Sequence, residues 1–332
     1  MSHSLDLSLV GCSDIPTIIG LDKYRAPIDL RNRIVHSFSP HAPEWLQVAG
    51  DLGNEHEYGT AAVFAKRRLG LDPALLDKPE SRAGAVPGRP WLRYSLDFVI
   101  VPEPHVIEVK SREWRALQAQ GWGEDGTSKV APNVAAQVQA QLAAIHLDRD
   151  FWRNTEIPEV DVADVAVSVN GHELRGYRVP RNLDIGLALL ERAEKWYRDH
   201  IERGLPVPID GSRGWRRELE RRHPEGKGKL SETPTDRQVE LAERHAELNR
   251  QIKDLEAKKD QVAHLIEETI GDGVGFKLPG GGSVRWGNLS GRTSYKDMVD
   301  DLCRRLDIGP KERKELEEFH RGESYRQLDV RS

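Results

Sequence analysis

The sequence predicts a mixed α/β or α+β fold with an appended helical arm, on three observations. Strand-like runs rich in branched residues pair across short turns, and helices of 3.6-residue period are interleaved among them. Beyond Pro208 the composition changes to long, charged, helix-forming sequence. The chain has 332 residues, about twice a common domain length, so one large core with appendages or two domains is expected. Only 38% of residues are apolar and 6% aromatic, against 31% charged. That is thin for a chain packed throughout, so part of it is expected to be extended helix or loop.

From Ser13 to about Leu71 the pattern is mainly helical. Ser13-Asp14 caps a helix start, and Ile15, Ile18 and Ile19 share one face. Asp51 to Arg68 reads as a second helix carrying Leu52, Tyr58, Ala62, Phe64 and Ala65. Residues 72–90 read as loop, punctuated by Pro73, Pro79, Pro87, Gly88 and Pro90. Trp91 to Val101 and His105 to Lys110 are strand-like and suit an antiparallel hairpin. Pro132 to Leu147 opens on a proline and repeats Val134, Val138, Leu142 and Ile145, a helix. Val162 to Val169 and Glu173 to Val179 are strands around an Asn170-Gly171 turn. Leu183 to Arg203 is an amphipathic helix ending at Gly204.

Residues 211–230 hold seven Arg or Lys and three Glu, a local balance of +4, with Gly226 and Gly228 favouring mobility. Asp236 to about Ile270 reads as one long helix. Leu241, His245, Leu248, Ile252, Leu255, Lys259, Val262 and Ile266 alternate four and three apart, a coiled-coil seam with two polar positions. Val274 to Leu278 and Ser283 to Trp286 read as a hairpin around Pro279 to Gly282. The expected division is a domain over 1–208, a basic flexible linker over 209–235, and a helical arm with hairpin and tail over 236–332.

No window holds the roughly 18 consecutive apolar residues of a membrane helix, and the start of the chain lacks the basic and apolar regions of a secretory signal. A membrane or secreted protein is therefore not expected. Cys12 and Cys303 alone cannot build a disulfide framework, a four-cysteine zinc site or an iron–sulfur cluster, and they read as reduced thiols of a cytosolic protein. A net charge of −5 argues against coating nucleic acid by bulk attraction. It leaves room for a local basic groove around acidic metal ligands.

The chemistry is concentrated in Ser95-Leu-Asp97 and Glu108-Val109-Lys110. If the hairpin forms, Asp97 and Glu108 sit on neighbouring strands, and Glu108 and Lys110, two apart, share a face. Two carboxylates and an ammonium among Val and Ile are costly unless paired or bound to metal. Phosphodiester hydrolysis wants this set: carboxylates to hold one or two Mg²⁺, and a lysine to orient water or neutralise the phosphate. The bland alternative is an exposed hairpin edge with a surface Glu–Lys pair.

Three further segments accompany it in order: Gly11-Cys-Ser13-Asp14, Gly53-Asn-Glu-His-Glu57 on a helix, and Ala136-Gln137-Val138-Gln139 on another. Together they resemble the phage-type exonucleases of the λ exonuclease and YqaJ-like viral recombinase family, a branch of the PD-(D/E)XK nucleases, over about residues 9–205. The resemblance implies a restriction-endonuclease-like fold, a central mixed β-sheet flanked by helices. It implies that Asp97, Glu108, Glu57 and the carbonyl of Val109 hold Mg²⁺ or Mn²⁺, with no iron–sulfur cluster. Lys110 then assists the attacking water, Gln137 contacts the phosphate or active site, and Ser13 and Ser95 hydrogen-bond a terminal phosphate. The arginine usual before the first motif is absent, since Asp6 to Val10 stands there; Arg25 is the candidate for its work.

The implied activity is 5′-to-3′ digestion of linear duplex DNA, leaving 3′ single-stranded overhangs for phage-type recombination. The implied partners are duplex DNA ends, further copies of the chain in a ring, and a single-strand annealing protein. The implied setting is the cytoplasm of a phage-infected or prophage-carrying bacterium. An endonuclease or nickase of the same fold, and a non-catalytic DNA-binding or assembly module, stay open as alternatives. So do simpler readings: Ser13-Asp14 as a helix cap, Glu57 as a solvated helix residue, and Gln137 and Gln139 as polar helix positions. His56, His105 and His146 show no metal-binding spacing. Trp215 among arginines is a candidate to stack on a base, and Ser324 to Val330 resembles a short tail strand of some phage nucleases.

Overall fold

The computed structural model describes residues 9–37, 44–77, 83–100, 105–148, 159–226, 233–279, 283–288 and 295–319. The chain divides into two compact units, Met1–Arg222 and His223–Ser332. The first begins with β1 (Val10–Gly11), α1 (Ile15–Ile18), α2 (Pro27–His36) and α3 (Glu44–Phe64). Five strands follow: β2 (Leu76–Asp77), β3 (Ala83–Val86), β4 (Arg89–Ser95), β5 (Phe98–Ile100) and β6 (His105–Arg112). Then come α4 (Trp114–Ala119), α5 (Pro132–Leu147), β7 (Val162–Val169), β8 (Glu173–Pro180), α6 (Leu183–Tyr197) and α7 (Arg213–Arg222).

Five strands form a mixed sheet in the order β2-β5-β6-β7-β8. β5 runs antiparallel to β6, with Phe98 opposite Ile107, and β7 antiparallel to β8. β6 and β7 are parallel, with Glu108 opposite Val165. A parallel pair needs a crossover, and the segment carrying α4 and α5 supplies it. A second, three-stranded sheet has the order β1-β4-β3. The β7–β8 turn places both Asn170 (φ 49°) and Gly171 (φ 74°) in the left-handed region, as an Asn-Gly hairpin turn requires.

β7 is nearly continuous in apolar residues because both of its faces are covered. Val165, Val167 and Val169 pack in one core with Val134, Val138 and Leu142 of α5 and Leu190 and Ala193 of α6. Ala166 packs in another with Phe98, Ile107, Val109 and the end of α3 at Ala61 and Phe64. α5 and α6 approach closely at Gly186, where a Cβ would lie 2.6 Å from that of Ala143. The consequence for β6 follows from alternation: Val106, Glu108, Lys110 and Arg112 face α5, while Ile107 and Val109 face α3.

The structure differs from the expectations in three places. Residues 72–90 are not all loop, since β2 and β3 lie among them. Both are short: β2 owes its form to a distant partner, Ile100, and β3 pairs with the next strand, Gly84 opposite Tyr94. Trp91 to Val101 is not one strand: β4 and β5 belong to different sheets, and Leu96-Asp97 is the step between them. The basic stretch is not simply a linker, because α7 folds against α2. Trp215 is buried with Ala26, Ile28 and Val207, and its indole donates to the Pro208 carbonyl at 2.8 Å. Asn32 donates to Glu218 at 2.9 Å, and Arg217 pairs with Asp29 at 3.0 Å. A ring so enclosed has no face for a base.

The second unit contains α8 (Asp236–Ile270), β9 (Gly275–Lys277), β10 (Ser283–Arg285), α9 (Tyr295–Arg305) and α10 (Pro310–Phe319). α8 starts with a capping box: the Thr235 hydroxyl accepts from Gln238 N, and the Gln238 side chain accepts from Thr235 N at 2.8 Å. Leu241, Leu248, Ile252, Leu255 and Val262 of its seam are exposed. The two terminal helices were not anticipated. The turn at 280–282 and the stretch Ser324 to Val330 lie outside the described residues. Among the described residues, no helix is long and apolar enough to cross a membrane.

Candidate active site

Glu108 occupies the middle of β6 and is 2% exposed. A buried carboxylate must have its oxygens satisfied, and those of Glu108 are. Oε1 accepts from Gln137 Nε2 at 2.7 Å and from the Lys110 ammonium; Oε2 accepts from Gln141 Nε2 at 3.0 Å. Gln137 and Gln141 are one turn apart on α5, so both reach the same strand. Gln141 also donates to the Ser95 carbonyl at 2.8 Å, tying the end of β4 to Glu108. Gln139 lies on a different face of the helix. Its Nε2 donates to the Pro180 carbonyl and its Oε1 accepts from Asn182 N, both at 2.8 Å, which holds the start of α6.

Asp97 stands at the step between the sheets, where Oδ2 accepts from Val109 N at 2.8 Å. The β5–β6 register, continued by one residue, sets Asp97 opposite Glu108. Burial, and then repulsion from Glu108, push its carboxyl well above the usual carboxylate range, against the pull of Lys110 and the Val109 amide. Burial by itself would lower Lys110, but attraction to Glu108 and Asp97 outweighs it and raises the ammonium above its ordinary value. Lys110 is thus held charged between two carboxylates. Arg112 ends the same strand face. Burial lowers its guanidinium, with Tyr24 and Glu108 acting the other way.

The Gly11–Asp14 turn lies close enough for its Cys12 thiol, raised first by burial and then by Asp14, to be raised further by Glu108. Asp14 is its buried anchor. It accepts from Gly11 N at 3.0 Å and pairs with Arg25 at 2.9 Å and Arg33 at 2.8 Å. Arg25 also pairs with Asp22 at 2.9 Å and donates to the Ser13 carbonyl at 3.3 Å. The side chain of Ser13 is exposed, as is that of Ser95. Ser13 and Arg25 are therefore neighbours on this turn, and Ser95 meets Gln141 through its carbonyl.

The structure gathers Asp97, Glu108, Lys110 and Gln137, with Val109 entering through its amide. Glu57 reaches the set through its charge, which helps to raise the Asp97 carboxyl. It sits on α3, the helix of the opposite sheet face, and is the weakest of the influences on Asp97. Among the described residues, no three His, Cys, Asp or Glu side chains are grouped to hold a metal. Asp97 and Glu108 nevertheless suit Mg²⁺ in kind, because that ion is commonly held by one or two carboxylates, with waters and substrate phosphate completing its shell. Two carboxyl groups face one lysine here, and a divalent cation would favour the ionised form of both. Gln141 was missed by the sequence reading. Its signal was its position one turn beyond Gln137 on the same apolar helix.

No family model matches the chain, and no curated protein sequence matches it. Among solved structures it is similar to LHK-Exo in complex with dAMP, at 12% identity and a TM-score of 0.42, over 65% of this chain and 93% of that one. It is also similar to an alkaline exonuclease (LHK-Exo) from Laribacter hongkongensis, at 12% identity and a TM-score of 0.39, over 57% of this chain and 86% of the other.

Proposed function

We propose that the protein is a Mg²⁺- or Mn²⁺-dependent deoxyribonuclease, an exonuclease that digests linear duplex DNA from 5′ to 3′ and leaves 3′ single-stranded overhangs. One observation carries the reading: Glu108 and Lys110 are side by side on one face of β6, with Asp97 opposite and two glutamines fixing Glu108. Apolar residues would fill a sheet interior at lower cost than this charged set, of which Glu108 is buried and Asp97 and Lys110 are half-buried. Such sets concentrate where chemistry is done.

Asp97 and Glu108 would hold the ion, with Glu57, whose charge reaches Asp97, as a further carboxylate. The ion would supply Lewis acidity toward the scissile phosphate and lower the pKa of the attacking water. Lys110, held charged by its neighbours, orients that water and offsets charge gathering on the phosphate. Gln137 and Gln141 keep the Glu108 carboxylate in one orientation. Ser13, Ser95 and Arg25 offer donors to a terminal phosphate. The motif resemblance supports a ring of copies around duplex ends, a single-strand annealing partner and work in the cytoplasm of a phage-bearing bacterium.

The test offers linear duplex labelled at the 5′ or the 3′ end, with Mg²⁺ or with EDTA, beside a covalently closed circle. Metal-dependent release of the 5′ label as mononucleotide, with the circle intact, is expected. Cutting of the closed circle would instead identify an endonuclease. Binding of duplex without cleavage under either metal would identify a non-catalytic module.

A further inference from the structure

We infer that Arg112 is a binding site for a phosphodiester of the substrate strand, about one nucleotide along from the bond addressed by Asp97, Glu108 and Lys110. The inference rests on the deoxyribonuclease reading and deepens it. Arg112 is the last residue of β6, paired with Val169 at the end of the sheet. Strand alternation sets it on the face of Glu108 and Lys110. From Lys110 to Arg112 is two strand residues, about 6.7 Å at the usual rise, of the order of the spacing between neighbouring phosphates in one nucleic-acid strand.

Its bonding is incomplete. Nε is buried and has no hydrogen-bond partner among the described residues, and Nη1 donates to the Ser111 carbonyl at 2.7 Å. A carbonyl is a dipole and not a counter-charge. Arg25 and Arg33 pair with Asp14, Arg178 with Asp164 and Arg217 with Asp29. No such carboxylate pairs with Arg112 among the described residues. Glu108 attracts this guanidinium without pairing with it; a partly buried guanidinium without a paired anion is unfavourable, and its fork matches phosphate oxygens two at a time. The missing partner is therefore an anion brought by the substrate. The rival account makes Arg112 a strand-end residue that packs its stem and leaves its head in water; it predicts no effect on DNA.

The test measures equilibrium binding of the full-length protein to linear duplex DNA in EDTA, over a series of salt concentrations. Wild type is compared with Arg112→Gln and Arg112→Lys, each checked for a wild-type melting curve. Arg112→Gln should bind about ten- to a hundredfold more weakly, and the slope of log affinity against log salt should fall by about 0.9, one phosphate contact. Arg112→Lys should restore the slope but not the full affinity. Wild-type affinity and slope in Arg112→Gln, with DNA digestion by wild type intact, would overturn the Arg112 assignment and leave the nuclease reading standing. Equal losses in the Lys and Gln variants would overturn it too, as a packing effect. Failure of wild type to bind duplex in EDTA, together with no digestion in Mg²⁺ or Mn²⁺, would remove both.

Discussion

The side-chain amide of Gln141 donates to Glu108 at 3.0 Å and to the Ser95 carbonyl at 2.8 Å. One helix residue thus joins the end of β4, in the three-stranded sheet, to the central carboxylate of the five-stranded one. The step between the sheets, where Asp97 stands, is fixed by that link. Its replacement leaves a buried carboxylate oxygen and a carbonyl without this donor, a cost of about 1–3 kcal/mol. Gln141→Leu should lower the melting temperature by about 2–4 °C per kcal/mol lost and slow DNA cleavage. Calorimetry and single-turnover digestion of the same preparation check both.

Asp97 gives a prediction of opposite sign. Its folded carboxyl lies above its ordinary value, through burial and the charge of Glu108. Its ionised form is therefore less favourable in the folded chain than in the unfolded one. That penalty is present above the raised value and is relieved as pH falls through it. In EDTA, Asp97→Asn should melt at a higher temperature than wild type near pH 7, and the gap should close on acidification. The same variant should not digest DNA in Mg²⁺, so that stability and activity move apart. A variant that melts lower at neutral pH would contradict the assigned environment.

Glu218 carries a pH dependence of the usual acid kind. Its hydrogen bond from Arg221, working against burial and helped by Arg222 and Asn32, holds the carboxyl at about 2, from an ordinary 4.5. A lowered folded value stabilises the fold above the unfolded one. That contribution is lost as pH falls from about 4.5 toward about 2. Glu218→Gln should therefore melt below wild type at neutral pH, and the two curves should converge across that window.

Trp215 tests the packing of α7. The ring is 3% exposed and its indole is hydrogen-bonded. Trp215→Ala should cost about 3–5 kcal/mol in stability. At a temperature where the variant is still folded, its affinity for single-stranded DNA should equal that of wild type. A stable variant with weakened single-strand binding would restore the stacking reading.

Local signals were the ones legible in the sequence. α5 runs from the proline at Pro132 to Leu147, and the Asn170-Gly171 turn joins β7 to β8. The step at Leu96-Asp97 was hidden because apolar alternation through Leu92, Tyr94, Leu96 and Phe98 continues across the change of sheet. α7 was hidden by its arginines. What fixes it is Trp215 and Glu218 meeting residues on α2 some 186 positions away, which no short window displays. At the site, the spacing of Glu108 and Lys110 showed a shared face. It could not show that α3 and α5 lie on opposite sides of β6, so that Gln141 joins the set from α5 while the charge of Glu57 reaches Asp97 from α3.

The most direct measurement follows single-turnover cleavage of end-labelled linear duplex by wild type and Lys110→Ala in Mg²⁺, with duplex binding measured in EDTA alongside. If the Asp97–Glu108–Lys110 set carries out hydrolysis, Lys110→Ala should bind duplex within a few-fold of wild type and cleave it at least about a hundredfold more slowly. Cleavage by a folded Lys110→Ala at the wild-type rate would contradict the account at its centre.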